Sequence, residues 1–165
     1  MPSDPADQPR SGRIVEIKLD EGLLRGNSPE IEHERKVSIA DILEANRFTF
    51  GDAGAISYRL ALSIVEKRLV IGVRDELGEP IGDHALPLSP FSRLIKDYFL
   101  VCESYFEAIR TMPPARIEAL DNERRRLHDE GSALLAERLK DRIQVDFETA
   151  RRLFTLICAL HWKGD

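Results

Sequence analysis

Only two cysteines, Cys102 and Cys158, occur in the 165 residues, with no CxxC pair and no Cys/His cluster. That excludes a disulfide framework and gives zinc no ligand set; both thiols lie in apolar runs and read as reduced, buried side chains. Motifs are scarce too: there is no Gly-rich phosphate loop, no GxSxG elbow, no HExxH and no GxGxxG. A long apolar run is also missing, since the longest uncharged helical stretch, residues 153–162, is half a membrane span. Residues 1–10 carry prolines and aspartates where a signal peptide would need an apolar segment. A cytoplasmic protein with no membrane association is the expectation. Basic excess is absent as well: the net charge is −5 and the pI about 5.5. The acidic surplus lies wholly in residues 1–88, and residues 89–165 are balanced. A nucleic-acid partner is therefore not expected. Arg124, Arg125 and Arg126 form only a local run among Glu118, Asp121, Glu123, Asp129 and Glu130, the pattern of a salt-bridged helix face.

What is present is an ordinary globular composition, 42% hydrophobic and 32% charged, in a chain long enough for one domain. Residues 1–12, rich in Pro, Ser and Asp, read as a flexible tail, and residues 13–165 as a single α+β domain. Val15, Ile17 and Leu19 alternate with charged residues as a strand, and residues 20–27 read as a loop. Ser28 and Pro29 occupy the N-cap and first position of a helix reaching about Asn46, whose apolar residues crowd its later half, so that only that half need pack. After a glycine-containing loop, Tyr58, Leu60, Leu62 and Ile64 share one strand face, and Leu69, Ile71 and Val73 the next. A third, edge strand spans residues 81–88. Turns this short force antiparallel pairing within the meander.

Ser89 and Pro90 repeat the N-cap signal and open the clearest amphipathic helix, whose apolar residues from Phe91 to Met112 fall within a sector roughly 160° wide, Leu100 excepted. Pro113 and Pro114 stop it and start the next, which should run to about residue 141. Asp146 can cap a last helix, apolar on two sides and so the most buried. The expected fold is a small antiparallel sheet, the N-terminal strand plus the meander, with one early helix and three C-terminal helices packed on it.

The segments SPEIEHERKVSIADILEANRF, IKDYFLVCESYFEAIR, LHDEGSALLAERL and VDFETARRLFTLICALHW resemble uncharacterised protein family 0262, small proteins of alphaproteobacteria, over about residues 13–162. The resemblance implies a bacterial cytosolic protein. It carries over no catalytic residue and no activity.

Candidate chemistry rests on anomalies. Glu30 and His33 form an ExxH, but the second ExxH and the further glutamates of a di-iron site are missing, and no metal or cofactor is expected. In the third helix Arg124 interrupts the apolar face of Ile117, Leu120, Leu127, Leu134 and Leu135, one turn before His128 and seven residues before Gly131. A mid-helix glycine costs about 1 kcal/mol relative to alanine and points to a close approach. The bland account of Arg124 is a side chain that lies on the core and reaches Glu123 or Glu130 at the rim. Tyr98 and Tyr105 sit mid-stripe on the preceding helix and His161 on the last, where buried polar groups must find partners. Either these residues form a satisfied internal network, or Arg124, His128 and Arg151 with the tyrosine hydroxyls make a small anion pocket. No paired carboxylates and no nucleophile with its base accompany them, so catalysis is not inferred. Two functions follow: an interaction protein, self-associating through Leu100 and Leu139 into a homo-oligomer, or a small-anion or metabolite binder, and thereby an enzyme if chemistry were added. An open cavity at Arg124 would separate the second from the first.

Overall fold

A computed structural model of the chain describes residues 12–24, 28–51 and 54–161, with the side chain of His161 outside the description. The expected tail, residues 1–12, lies outside it except for Gly12.

Strand β1 (Arg13–Leu19) leads through a one-turn helix α1 (Glu21–Leu24) to helix α2 (Pro29–Glu44). Where a plain loop was expected, Asp20 nucleates α1, its carboxylate accepting from the Gly22 N–H at 3.0 Å. Ser28 caps α2 as expected, accepting from Ile31 N–H at 3.2 Å. The helix nonetheless packs along its whole length. Ile31, Arg35, Ser38 and Ile42 form its buried line, while Val37 is exposed. The early half hides an arginine, which hydrophobic counting does not register.

The meander β3 (Ser57–Val65), β4 (Arg68–Arg74) and β5 (Pro80–Pro87) is antiparallel with β5 at the edge, and Tyr58, Leu60, Leu62, Leu69, Ile71 and Val73 are buried. The β3–β4 turn places Glu66 and Lys67 at φ 49° and 62°, the left-handed pair that suits a two-residue hairpin. The sheet as a whole is mixed, not antiparallel, because β1 pairs with β3 in parallel, giving the order β1-β3-β4-β5. The reason is the connection: α2 carries the chain back across the sheet before β3, as a parallel crossover requires. A register shift between Ile14 and Glu16 also turns Val15 outward and leaves Ile14 and Ile17 buried.

A second, two-stranded sheet was not foreseen: β2 (Phe48–Phe50) pairs antiparallel with β6 (Ile143–Val145). Phe48 lies edge-on to Tyr58 with centroids 5.1 Å apart, and the Tyr58 hydroxyl meets Phe50 N–H at 3.2 Å. This ribbon covers the end of the core and places Leu139, 1% exposed, inside it.

Helices α3 (Ser89–Thr111), α4 (Pro114–Leu139) and α5 (Phe147–His161) complete the layer. Ser89 is not an N-cap: Leu88 holds that position without a side-chain bond, because the turn already closes from Phe91 N–H to Leu88 C=O. Asp146 does cap α5, accepting from Thr149 N–H at 3.1 Å. Helix α5 is the central one, with Ala150, Phe154, Leu156, Ile157 and Leu160 buried, although its first residue, Phe147, is exposed. Towards its C-terminus α3 keeps Ala108 buried and Tyr105 under Arg124, but leaves another face uncovered. Ile95 and Phe106 stand three turns apart on one face, about 16 Å along the axis, as Phe91 and Ile109 stand five turns apart. The first of each pair is buried, whereas Phe106 is 65% and Ile109 49% exposed.

Candidate functional site

Three helices meet around the predicted cluster. Gly131 lets them: a Cβ there would stand 2.2 Å from the Phe154 ring, so only glycine admits α5 at this distance. Phe154 in turn supports His128, ring centroids 5.3 Å apart and edge-on, and Tyr98 flanks the imidazole at 5.5 Å. Above this apolar floor opens a cavity of about 330 Å³ lined by Tyr98 from α3, Arg124, Arg125 and His128 from α4, and Glu148, Arg151, Arg152 and Thr155 from α5. That volume is at the lower end of small-molecule sites.

Arg124 does not reach Glu123 or Glu130, which bind Arg126 instead. It ion-pairs with Asp121 and lies over the Tyr105 ring at 4.9 Å. Arg125 takes the other oxygen of Asp121 at 2.9 Å. Arg151 pairs with Asp129 and approaches Glu148 at 3.6 Å, and Arg152 donates to the carbonyl of Ala45 at 2.7 Å. Four guanidinium groups thus line the space against three carboxylates, a local cationic surplus in an acidic chain. His128 Nε2 meets Thr155 Oγ1 at 2.7 Å, and that hydroxyl donates to the Arg151 carbonyl at 3.1 Å. Two polar atoms here are buried without a partner among the described residues: Arg124 Nε and His128 Nδ1. Burial, and then the charge of Arg151, hold the imidazole below its ordinary titration range.

Burial and its contact with Cys102 push the Tyr98 hydroxyl up, so the tyrosine stays neutral. Burial likewise raises the thiols of Cys102 and Cys158. Cys158 is buried as expected, but Cys102 is only half-buried.

Of the six residues singled out by sequence, the fold brings Tyr98, Arg124, His128 and Arg151 to one cavity and puts Tyr105 beneath Arg124. The side chain of His161 lies outside the described residues. Sequence reasoning missed Arg125, Arg152, Glu148 and Thr155. Thr155 stands one turn from Arg151 on α5, a spacing that could have signalled it. Leu139, expected as a contact residue, is in the core, and Glu30 and His33 are exposed. Among the described residues no group of three or more His, Cys, Asp or Glu is placed to hold a metal, and no helix is long and apolar enough to cross a membrane.

Relatives bear on which chain this is. A UPF0262 protein of Azorhizobium caulinodans is 54% identical over 158 residues, covering 94% of this chain and 98% of its own. One from Bradyrhizobium sp. (strain ORS 278) is 51% identical over 166 residues, covering 100% and 99%. A third, from Brucella canis, is 50% identical over 160 residues, covering 96% and 99%. No solved structure matches the chain. Residues 11–163 match the Uncharacterised protein family (UPF0262), and with relatives this similar along nearly their whole length the chain belongs to that family.

Proposed function

We propose that this protein binds a small anion in the cavity between α3, α4 and α5. The observation that carries the reading is a cavity of about 330 Å³ walled by four guanidinium groups, those of Arg124, Arg125, Arg151 and Arg152. Guanidinium groups offer charge-assisted donors to the oxygens of an anion. The reading stops at binding. Two free cysteines support a reducing, cytoplasmic setting. A thermal-shift series with phosphate, sulfate and small carboxylates at matched ionic strength tests it. Wild type should gain about 2.7 kcal/mol at a hundred times the dissociation constant, and Arg124→Ala should lose that gain. A flat response to every anion removes the reading.

A second reading, self-association, is favoured by the uncovered face of α3 near its C-terminus. Phe106 and Ile109 are exposed there, with Met112 at 51% at the helix end. An antiparallel copy centred on Phe106 would set Glu103 of each helix against Arg110 of the other, a self-complementary register for a twofold dimer. Leu100, 53% exposed, lies on the opposite side of the helix and would stay outside it. Light scattering of wild type and Phe106→Lys separates the cases: a dimer converted to monomer supports the interface, and a monomeric wild type at high concentration rejects it.

A further inference from the structure

Arg124 and Arg125 are consecutive on α4, and consecutive side chains leave a helix about 100° apart. Their heads nonetheless meet at one carboxylate a turn back, where Arg124 pairs with one oxygen of Asp121 and Arg125 with the other at 2.9 Å. Hydrogen bonding from Arg124 holds that carboxyl below the usual carboxylate range, so Asp121 is an anion at physiological pH. Two cationic side chains of the lining thus share a single negative charge, supplied by a residue that is not itself part of the lining. On α5 the balance differs: Arg151 has two carboxylates, Asp129 and Glu148, and Arg152 meets the neutral carbonyl of Ala45. On α4, therefore, the cavity wall holds one charge more than Asp121 neutralises.

A single carboxylate from solution offers Arg124 and Arg125 only what Asp121 already gives them. It must also surrender translational freedom that a tethered side chain has already lost, so it loses the exchange. A doubly charged oxyanion differs, since it brings one negative charge for each guanidinium and enough oxygens to engage both. Resting on the anion-binding reading, we propose that Asp121 is an internal counter-anion that competes with the ligand for the Arg124–Arg125 pair, and that it thereby restricts the site to doubly charged oxyanions of the phosphate type and excludes single carboxylates. Free phosphate and the terminal phosphate of an organic molecule share that chemistry.

The test is calorimetric titration of the full chain at pH 8 and fixed ionic strength with phosphate, sulfate and acetate. Wild type should bind the two dianions about tenfold or more tightly than acetate, since each guanidinium then gains a charge of its own. Asp121→Asn keeps the size and one acceptor oxygen but removes the charge, and it should tighten phosphate and acetate alike by about three- to tenfold, the scale of one unit charge removed from a few ångströms away near a surface. Glu123→Gln is the control. It makes the same change in net charge two residues away, against Arg126, which is not part of the lining, and should shift affinity by less than about twofold. Glycerol 3-phosphate separates the two sources: tighter binding than phosphate assigns a phosphate ester, and weaker or equal binding the free ion. Acetate bound as tightly as phosphate by wild type, unchanged or weaker binding in Asp121→Asn, or equal gains in the two variants overturns the proposal while the anion-binding reading stands. Failure of wild type to bind any of these anions overturns both. The wild-type comparison of dianion with acetate decides the matter whether or not a variant folds.

Discussion

Two partly hidden arginines answer the same physical problem in opposite ways. Arg35, 5% exposed on α2, spends all three nitrogens on carbonyl oxygens, reaching Ala159 and Leu160 in the last turn of α5 at 3.3 Å each and Leu23 at the end of α1. The carbonyls at a helix C-terminus have no partners within the helix, and a cation there also meets the negative end of the dipole. Arg35 is thus a fastener, and none of its three nitrogens lacks a partner. Arg124, on α4, has an ion pair with Asp121 and the Tyr105 ring, yet its Nε–H has no acceptor among the described residues, and its side chain lines an open cavity. A charged side chain inside an apolar stripe is therefore no site by itself. What separates a structural residue from a candidate for binding is whether each of its nitrogens is met by the protein and whether its side chain lines a cavity.

The largest expected effect falls on the satisfied member of the pair. Arg35→Ala would strand the Leu23, Ala159 and Leu160 carbonyls and leave a void between α2 and α5, at a cost of about 3 kcal/mol or more. Chemical denaturation measures it, and no anion should restore the loss. A loss below about 1 kcal/mol would show that the fastener is dispensable and collapse the distinction. Gly131→Ala should follow at about 1–3 kcal/mol, since its Cβ would enter the Phe154 ring and α4 and α5 would have to part. Because that ring supports His128, the same variant should weaken anion binding, which titration would report.

Where sequence reasoning worked and where it failed follows from range. The meander, the Ser28 cap and the two-sided α5 were legible because each is written in neighbouring residues. The parallel pairing of β1 was not, because it depends on where α2 returns the chain, and the three-residue strands β2 and β6 were not, because each is too short for a period and its partner is remote in sequence. For the site, Arg124 and His128 announced themselves as polar residues on an apolar face, and Gly131 as a helix glycine. Arg35 shows the same anomaly between Ile31 and Ile42, but it lies in the early half of its helix, where few apolar residues mark a packed face. Arg152 and Glu148 carried no signal, since charged residues at a helix edge are usually solvated.

Arg124→Ala should cost little stability by comparison, about 1 kcal/mol or less, because its ion pair with Asp121 is partly open to solvent and salt. Its effect should appear instead in the slope of melting temperature against anion concentration. A cost equal to that of Arg35→Ala would mean that Arg124 is a fastener after all.

The smallest effect is a pH dependence, and its sign distinguishes a buried neutral histidine from a paired cationic one. Burial, with Arg151 next, depresses His128 in the folded chain below the value near 6.5 of an unfolded histidine; His84 is depressed too, by burial first and then by Arg142. Below about pH 6.5 the unfolded chain binds a proton that folded His128 refuses, so acid favours unfolding. Stability should therefore be flat well above that pH and fall through the window from 6.5 down to the folded value of each histidine. Urea midpoints at pH 5.5 and 7.5 read this, and His128→Phe should reduce the difference between them while His84 keeps a part. The opposite sign, stability rising on acidification through this window, would make His128 a cation in the folded chain.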